Sequence, residues 1–254
     1  MPSETPSTLT LTKHHGLGND FLVLLDTDDR YGDDQEAMAR ALCDRRTGIG
    51  ADGLLRLGPD LRMHLVNADG SRAEMSGNGI RCLAQAILDA GLTDGGELEI
   101  LTDAGPRWVV PQAEPSGRTR NFTVDMGPAK VTDLEERRAE VDTGNPHVVL
   151  LVADPASEDL LALGAEMPDV NVEVARVEDA STVTMRVHER GAGITQACGT
   201  GSCAVVAATR AWGLTGDRVT VRNPGGDLVV ELRDDTAWLT GPATSVARIE
   251  VPWP

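Results

Sequence analysis

Apolar and polar positions alternate in short runs along most of the chain. Nine such runs predict strands: Phe21–Leu25, Arg62–Asn67, Leu98–Thr102, Phe122–Met126, Val148–Val152, Val183–Val187, Arg218–Val221, Leu228–Leu232 and Ala237–Thr240. They are rich in Val, Leu and Thr and are bounded by Gly, Asp, Asn or Pro, which break strands. Three stretches change to the helical period. Gln35–Arg45 puts Ala37, Met38, Ala41 and Leu42 on one face, and Asn78–Ala90 does the same with Ile80, Leu83, Ala84, Ile87 and Leu88. Thr200–Trp212 is small and apolar nearly all round, which predicts a deeply buried helix. Many strands with few helices give an α+β class.

A duplication organises these elements. Ser76-Gly77-Asn78-Gly79 and Cys198-Gly199-Thr200-Gly201 lie 122 residues apart, and each opens an apolar helix after a strand and an acid-plus-glycine turn. Gly18-Asn19-Asp20-Phe21 and Gly144-Asn145-Pro146-His147 form a second pair, 126 residues apart. Two features repeating at nearly one offset predict two similar halves. The expected boundaries are a disordered leader over 1–12, an N-terminal lobe over 13–130 and a C-terminal lobe over 131–254, whose last strand can cross back to the first lobe.

Composition narrows the function. The formal net charge is −17, which repels phosphate backbones and argues against a nucleic-acid partner. Lysine occurs only at Lys13 and Lys130. The longest apolar runs, such as Val148–Ala153, are too short to span a membrane. The first twelve residues lack the basic start and apolar stretch of a secretory signal. A cytoplasmic protein with free thiols is therefore expected. Cys43, Cys82, Cys198 and Cys203 form no C-x2-C pair, and the histidines show no zinc spacing, so no metal is expected.

The chemistry starts at Cys198. A Cys at a helix mouth meets unpaired backbone N–H groups and the positive end of the helix dipole, which is expected to lower the thiol pKa towards neutrality. The same N–H groups hold carboxylates. Taken alone, the motif fits a buried structural Cys before a Gly-rich turn better. The second copy changes the balance: two equivalent mouths facing one another grip one carboxylate and flank its α-carbon on opposite faces. That geometry inverts a stereocentre, one face losing a proton and the other gaining one. It needs neither a cofactor nor a Schiff-base lysine, provided backbone N–H groups stabilise the carbanion in a dry site.

Six segments then resemble the diaminopimelate epimerase family, in the family's order, from about residue 13 to about 245. They are His14–Phe21, Asn67–Ser71 with Gly77–Cys82, Gly144–His147, Glu189–Gly193 with Thr195–Gly201, Asn223–Gly226 and Leu239–Ala243. The resemblance implies two pseudo-symmetric lobes, each a β-barrel-like sheet wrapped around a central helix, with the site between them. It implies conversion of LL-2,6-diaminopimelate to the meso form without a cofactor, a step towards lysine and peptidoglycan, and a homodimer. By the same resemblance Cys198 is one acid/base. Asn19, Gly77, Asn78, Gly199 and Thr200 surround the reacting end. Asn67, Asn145, Asn171 and Arg190 hold the distal carboxylate, Glu189 lies near the distal ammonium, and His147 supports the catalytic groups. An Arg with several amides suits a second carboxylate. Blander readings stay open: a solvated ion pair for Glu189 and Arg190, turn capping for the asparagines, and a satisfied core histidine for His147. A racemase for another amino acid and a non-catalytic amino-acid binder are the competing functions.

Ser76 departs from the family, which carries Cys there. A helix dipole contributes about 2 kcal/mol at best, roughly 1.5 pKa units, far too little to make a hydroxyl a base at pH 7. Three explanations stand. An introduced Cys→Ser change blocks a disulfide or traps a ligand, a natural variant works with one thiol, or Cys82 substitutes. Six residues along its helix, Cys82 is expected to lie too deep. The absence of drift in the flanking motifs favours the first. Much-reduced epimerisation is expected.

Overall fold

In the computed structural model, residues 7–112, 116–234 and 236–253 are described. Among the described residues four α-helices stand among seventeen strands: α1 (Gln35–Leu42), α2 (Gly77–Asp89), α3 (Leu160–Glu166) and α4 (Gly199–Ala211). The class is α+β, dominated by sheet. The three predicted helices are present with ends shifted by at most three residues. The fourth, α3, escaped prediction because only Leu160 and Gly164 of its seven residues are buried, too few to register as a period.

Alternation along each strand decides which helix it faces. Strand Asn19–Leu25 sends Phe21 and Val23 to the core around α2, and Leu22 and Leu24 to a second core with Met38, Ala39 and Leu42 of α1. Its parallel neighbour Gly53–Leu57 does the same, with Leu55 and Leu57 inward and Leu54 outward. A strand buried on both faces reads as an unbroken apolar run. So α2 is wrapped by sheet and α1 lies outside it.

The second half repeats the plan. Strand Pro146–Leu151 pairs in parallel with Asn171–Asp179, as Asn19–Leu25 does with Gly53–Leu57. An antiparallel strand follows in each half (Met63–Asn67 and Thr182–Glu189), then a short one, then α2 or α4. Here α3 takes the outer face, with Gly164 against the His188 ring, and α4 is enclosed, almost wholly buried from Gly199 to Thr209.

One strand joins the halves. Thr236–Trp253 pairs with Gly226–Arg233 of the second half and with Thr119–Pro128 and Ser7–Gly16 of the first. The predicted strand Ala237–Thr240 is its beginning; the remainder mixes small, polar and only partly buried apolar residues, so it carries little apolar signal. The leader expected over 1–12 needs correction. Residues 1–6 lie outside the described residues, but Ser7 onward is strand, paired from Ser7 opposite Trp253 to His15 opposite Thr244. Leu9 and Leu11 anchor it, buried to 1% and 0% exposure. No helix among the described residues is long and apolar enough to cross a membrane.

Candidate active site

An α-helix leaves its first amides without intrahelical acceptors, so whatever precedes it is well placed to cap it. Ser76 and Cys198 do this at the two enclosed helices. Ser76 Oγ accepts from the Gly79 N–H at 3.0 Å, and Cys198 Sγ accepts from the Gly201 N–H at 3.3 Å. Both residues hold extended backbone geometry, as a cap requires. That leaves the amides of Gly77, Asn78, Gly199 and Thr200 with no acceptor inside their own helix.

The two mouths meet. A methyl group at position 199 would lie 3.3 Å from Gly77 Cα, so the glycine lets the two backbones approach closely. Asn78 ties the mouths together: its Nδ2 donates to Ala197 O and to Asn19 Oδ1, both at 3.2 Å. Behind it stands Arg81, wholly buried, donating to Gly77 O at 2.8 Å, Asn78 Oδ1 at 2.6 Å and Pro242 O at 3.2 Å. Burial lowers this guanidinium to about 10, so it remains a cation at neutral pH. Sequence reasoning passed over Arg81. The available signal was a charged residue inside a helix whose neighbours Ile80 and Cys82 are both apolar.

Ser76, Gly77, Cys198 and Gly199 open on one cleft of about 1280 Å³. Asn19, Asn67, Asn78, Asn145, Asn171, Glu189, Arg190 and Thr200 line it too. Every predicted site residue is therefore at the cleft except His147. That ring is buried to 1% exposure, one layer back, with Nδ1 2.7 Å from Glu173 Oε1 and Nε2 3.1 Å from Asn145 Oδ1. Asn171 donates to Pro146 O at 3.0 Å and accepts from the Arg190 N–H at 3.0 Å, which orients the exposed Arg190 at the rim. Asn19 is held by Asp52 at 2.8 Å, and Asn67 by Ser71 Oγ at 3.0 Å. Cys82 is fully buried in α2, away from the cleft, and burial pushes its thiol up to about 12.

Glu189 lines the cleft, and its carboxylate accepts from the Thr195 hydroxyl. Burial raises its pKa above the usual carboxylate range. Cys198 was expected to be acidified by the helix mouth. Instead burial, followed by the charges of Glu189 and Glu173, raises its thiol well above the ordinary value. The magnitudes explain why. A helix terminus offers about 1 to 2 kcal/mol, roughly one pKa unit, while burial shifts a group by up to about 3–5 units. Cys198 is thus a thiol, with the carboxylates of Glu189 and Glu173 near it.

Comparison with known proteins agrees with this architecture. The diaminopimelate epimerase from Moorella thermoacetica is 37% identical over 277 residues, covering 94% of this chain and 98% of that protein. The one from Thermobifida fusca is 41% identical over 275 residues, covering 96% and 98%. Among solved structures, a hydroxyproline epimerase from Agrobacterium vitis with bound trans-4-hydroxy-L-proline superposes with a TM-score of 0.76 at 17% identity, covering 98% of this chain and 92% of that one. A probable proline racemase from Agrobacterium radiobacter gives 0.74 at 16% identity, covering 97% and 93%. Those two share the fold. The family model described as diaminopimelate epimerase matches residues 11–132 and 140–246, and with relatives of this identity along nearly the whole length, the chain belongs to the diaminopimelate epimerase family.

Proposed function

We propose that this chain acts on diaminopimelate as a cofactor-independent amino-acid epimerase, working from Cys198 on one face of the α-carbon, with Ser76 limiting the other. The observation that carries this reading is the Gly77–Gly199 contact, which sets two capped helix mouths against one cleft. The four free amides of Gly77, Asn78, Gly199 and Thr200 are suited to the substrate α-carboxylate and to the charge it gains as the carbanion forms. The Cys198 proton passes to Glu189, and the thiolate then takes the α-proton. For inversion, Ser76 must deliver a proton from the opposite face and be left as an alkoxide, which is costly at neutral pH. Return from Cys198 to the same face is the easier path. Arg190, with Asn67, Asn145 and Asn171, suits the distal carboxylate.

Solvent deuterium is therefore expected to enter the α-carbon faster than configuration changes. Restoring the thiol by Ser76→Cys raises conversion of the LL to the meso form by about 10²–10⁴-fold, the usual worth of a placed acid or base. The test measures deuterium uptake and inversion side by side in both chains. No deuterium uptake by the parent and no inversion by the variant would reduce the protein to an amino-acid binder.

A further inference from the structure

The repeat lets each residue under one helix mouth be matched with its counterpart under the other. Phe21 lies opposite Gly53 in the first half, and His147 opposite Asn171 in the second. Two residues along, Val23 faces Leu55 and Val149 faces Glu173. Leu55 sits beneath Gly79, where an added methyl would lie 3.3 Å from its Cδ2. Glu173 sits beneath Gly201, where an added methyl would lie 2.5 Å from its Oε1. One mouth stands on hydrocarbon and the other on a carboxylate.

Glu173 is a costly thing to keep there. Its side chain and that of His147 are both at 0% exposure. Oε1 has His147, but Oε2 has no hydrogen-bond partner among the described residues. A buried polar atom left unpaired is destabilising and calls for an explanation. Three titratable groups surround Cys198: Glu189 from strand Thr182–Glu189, Glu173 from strand Asn171–Asp179, and His147 behind Glu173 from strand Pro146–Leu151. Cys203 lies further down α4, with its thiol pushed up to about 12 by burial.

We propose that Glu173 is a positioning residue for Cys198: its charge beneath the α4 mouth holds the sulfur as a thiol until substrate binds, so Cys198 enters the reaction carrying a proton. The matched Leu55 gives the Ser76 face no such control. The direction of the Cys198 shift, to which the Glu173 charge contributes, agrees. The inference rests on Cys198 being the proton-transferring thiol, but its test does not depend on turnover.

That test is the pH dependence of iodoacetamide alkylation at Cys198, read by peptide mass spectrometry in the intact chain and in Glu173→Gln. Glutamine keeps the shape and removes the charge. The alkylation midpoint is expected to fall by about one pH unit or more, so that Cys198 reacts about tenfold faster near pH 7.5. Cys82 and Cys203 are fully buried in the two enclosed helices, away from the cleft, and must stay unlabelled, which shows that the fold is intact. If Glu173→Gln does not fold, Glu173→Leu, which copies Leu55, is expected to move the midpoint the same way. An unchanged midpoint in a folded variant overturns the proposal and leaves Glu173 as a structural partner of His147. The epimerase reading itself stands or falls separately, on the Ser76→Cys assay.

Discussion

At the mouth of α2 the capping atom is an oxygen, half exposed, with Asn67 nine residues before it and Leu55 beneath it. At the mouth of α4 it is a sulfur at 4% exposure, with Glu189 nine residues before it and Glu173 beneath. The backbones follow one plan. The buried charge does not: α2 carries the cation Arg81 in its second turn, and α4 is set among carboxylates. A duplicated fold fixes where the mouths are and which amides point outward. It leaves their surroundings to a few side chains at matched positions, and in the proposed reaction those side chains give the two faces unequal parts.

The sharpest way to break this comparison is to remove the sulfur. Cys198→Ala is expected to reduce deuterium uptake at the α-carbon by about 10²–10⁴-fold, because no other ionisable capping atom remains in the cleft. Ser76→Ala is expected to leave uptake nearly unchanged. It costs stability instead, about 1 kcal/mol for the lost helix cap, seen as a lowered denaturation midpoint. Equal losses of uptake in the two variants would mean that the faces contribute alike and that the asymmetry is wrongly drawn.

Much of this is legible in the sequence, and the missing parts have physical causes. The glycine-rich mouths announce themselves because the close approach of the helices favours glycine, most of all at Gly199, and all but one of the predicted site residues line the cleft. The sequence did not forecast the direction of the Cys198 shift, since a motif shows a helix terminus but not the depth of burial behind it. Glu173 went unnoticed although Val172-Glu173-Val174-Ala175 places a charge within an apolar strand, a pattern that marks a partnered or functional group. The long strand Thr236–Trp253 is mostly hidden because its second half alternates with exposed polar residues.

The two halves also answer pH in opposite senses. His14, on the strand beside α2, is at 0% exposure, and burial lowers its pKa to about 4, against a smaller attraction from Asp89. The folded chain keeps it neutral where the unfolded chain, near 6.5, takes up a proton. The stability it contributes is complete above pH 6.5 and is lost as pH falls towards 4, at most about 3 kcal/mol. Glu189, with its folded pKa raised, contributes stability below its unfolded value near 4.3 and loses it as pH rises through the folded one. His14→Gln is thus expected to flatten the loss of melting temperature between pH 6.5 and 4. Glu189→Gln is expected to stabilise the protein at neutral pH. A melting profile in His14→Gln as steep as the parent's would show that the acid sensitivity arises elsewhere.

The smallest effect tests the contact between the mouths. A methyl group at position 77 would meet Met126 Cε at 3.1 Å and Leu239 Cδ2 at 3.3 Å, both ends of flexible side chains that can give way. At position 199 it would meet the same leucine at 3.2 Å but also Gly77 Cα at 3.3 Å, and a backbone atom of the opposite helix yields only if the whole mouth shifts. A displacement near 1 Å at reacting groups costs about a hundredfold, so a few tenths should cost about three- to tenfold. In a Ser76→Cys background, Gly199→Ala is expected to lower kcat/KM by that factor, and Gly77→Ala by less than about twofold. Both changes place alanine for glycine at the first position of a helix, so their effects on stability largely cancel in the comparison. Equal activity losses in the two variants would show that the approach of the helices does not set the geometry of the reacting faces.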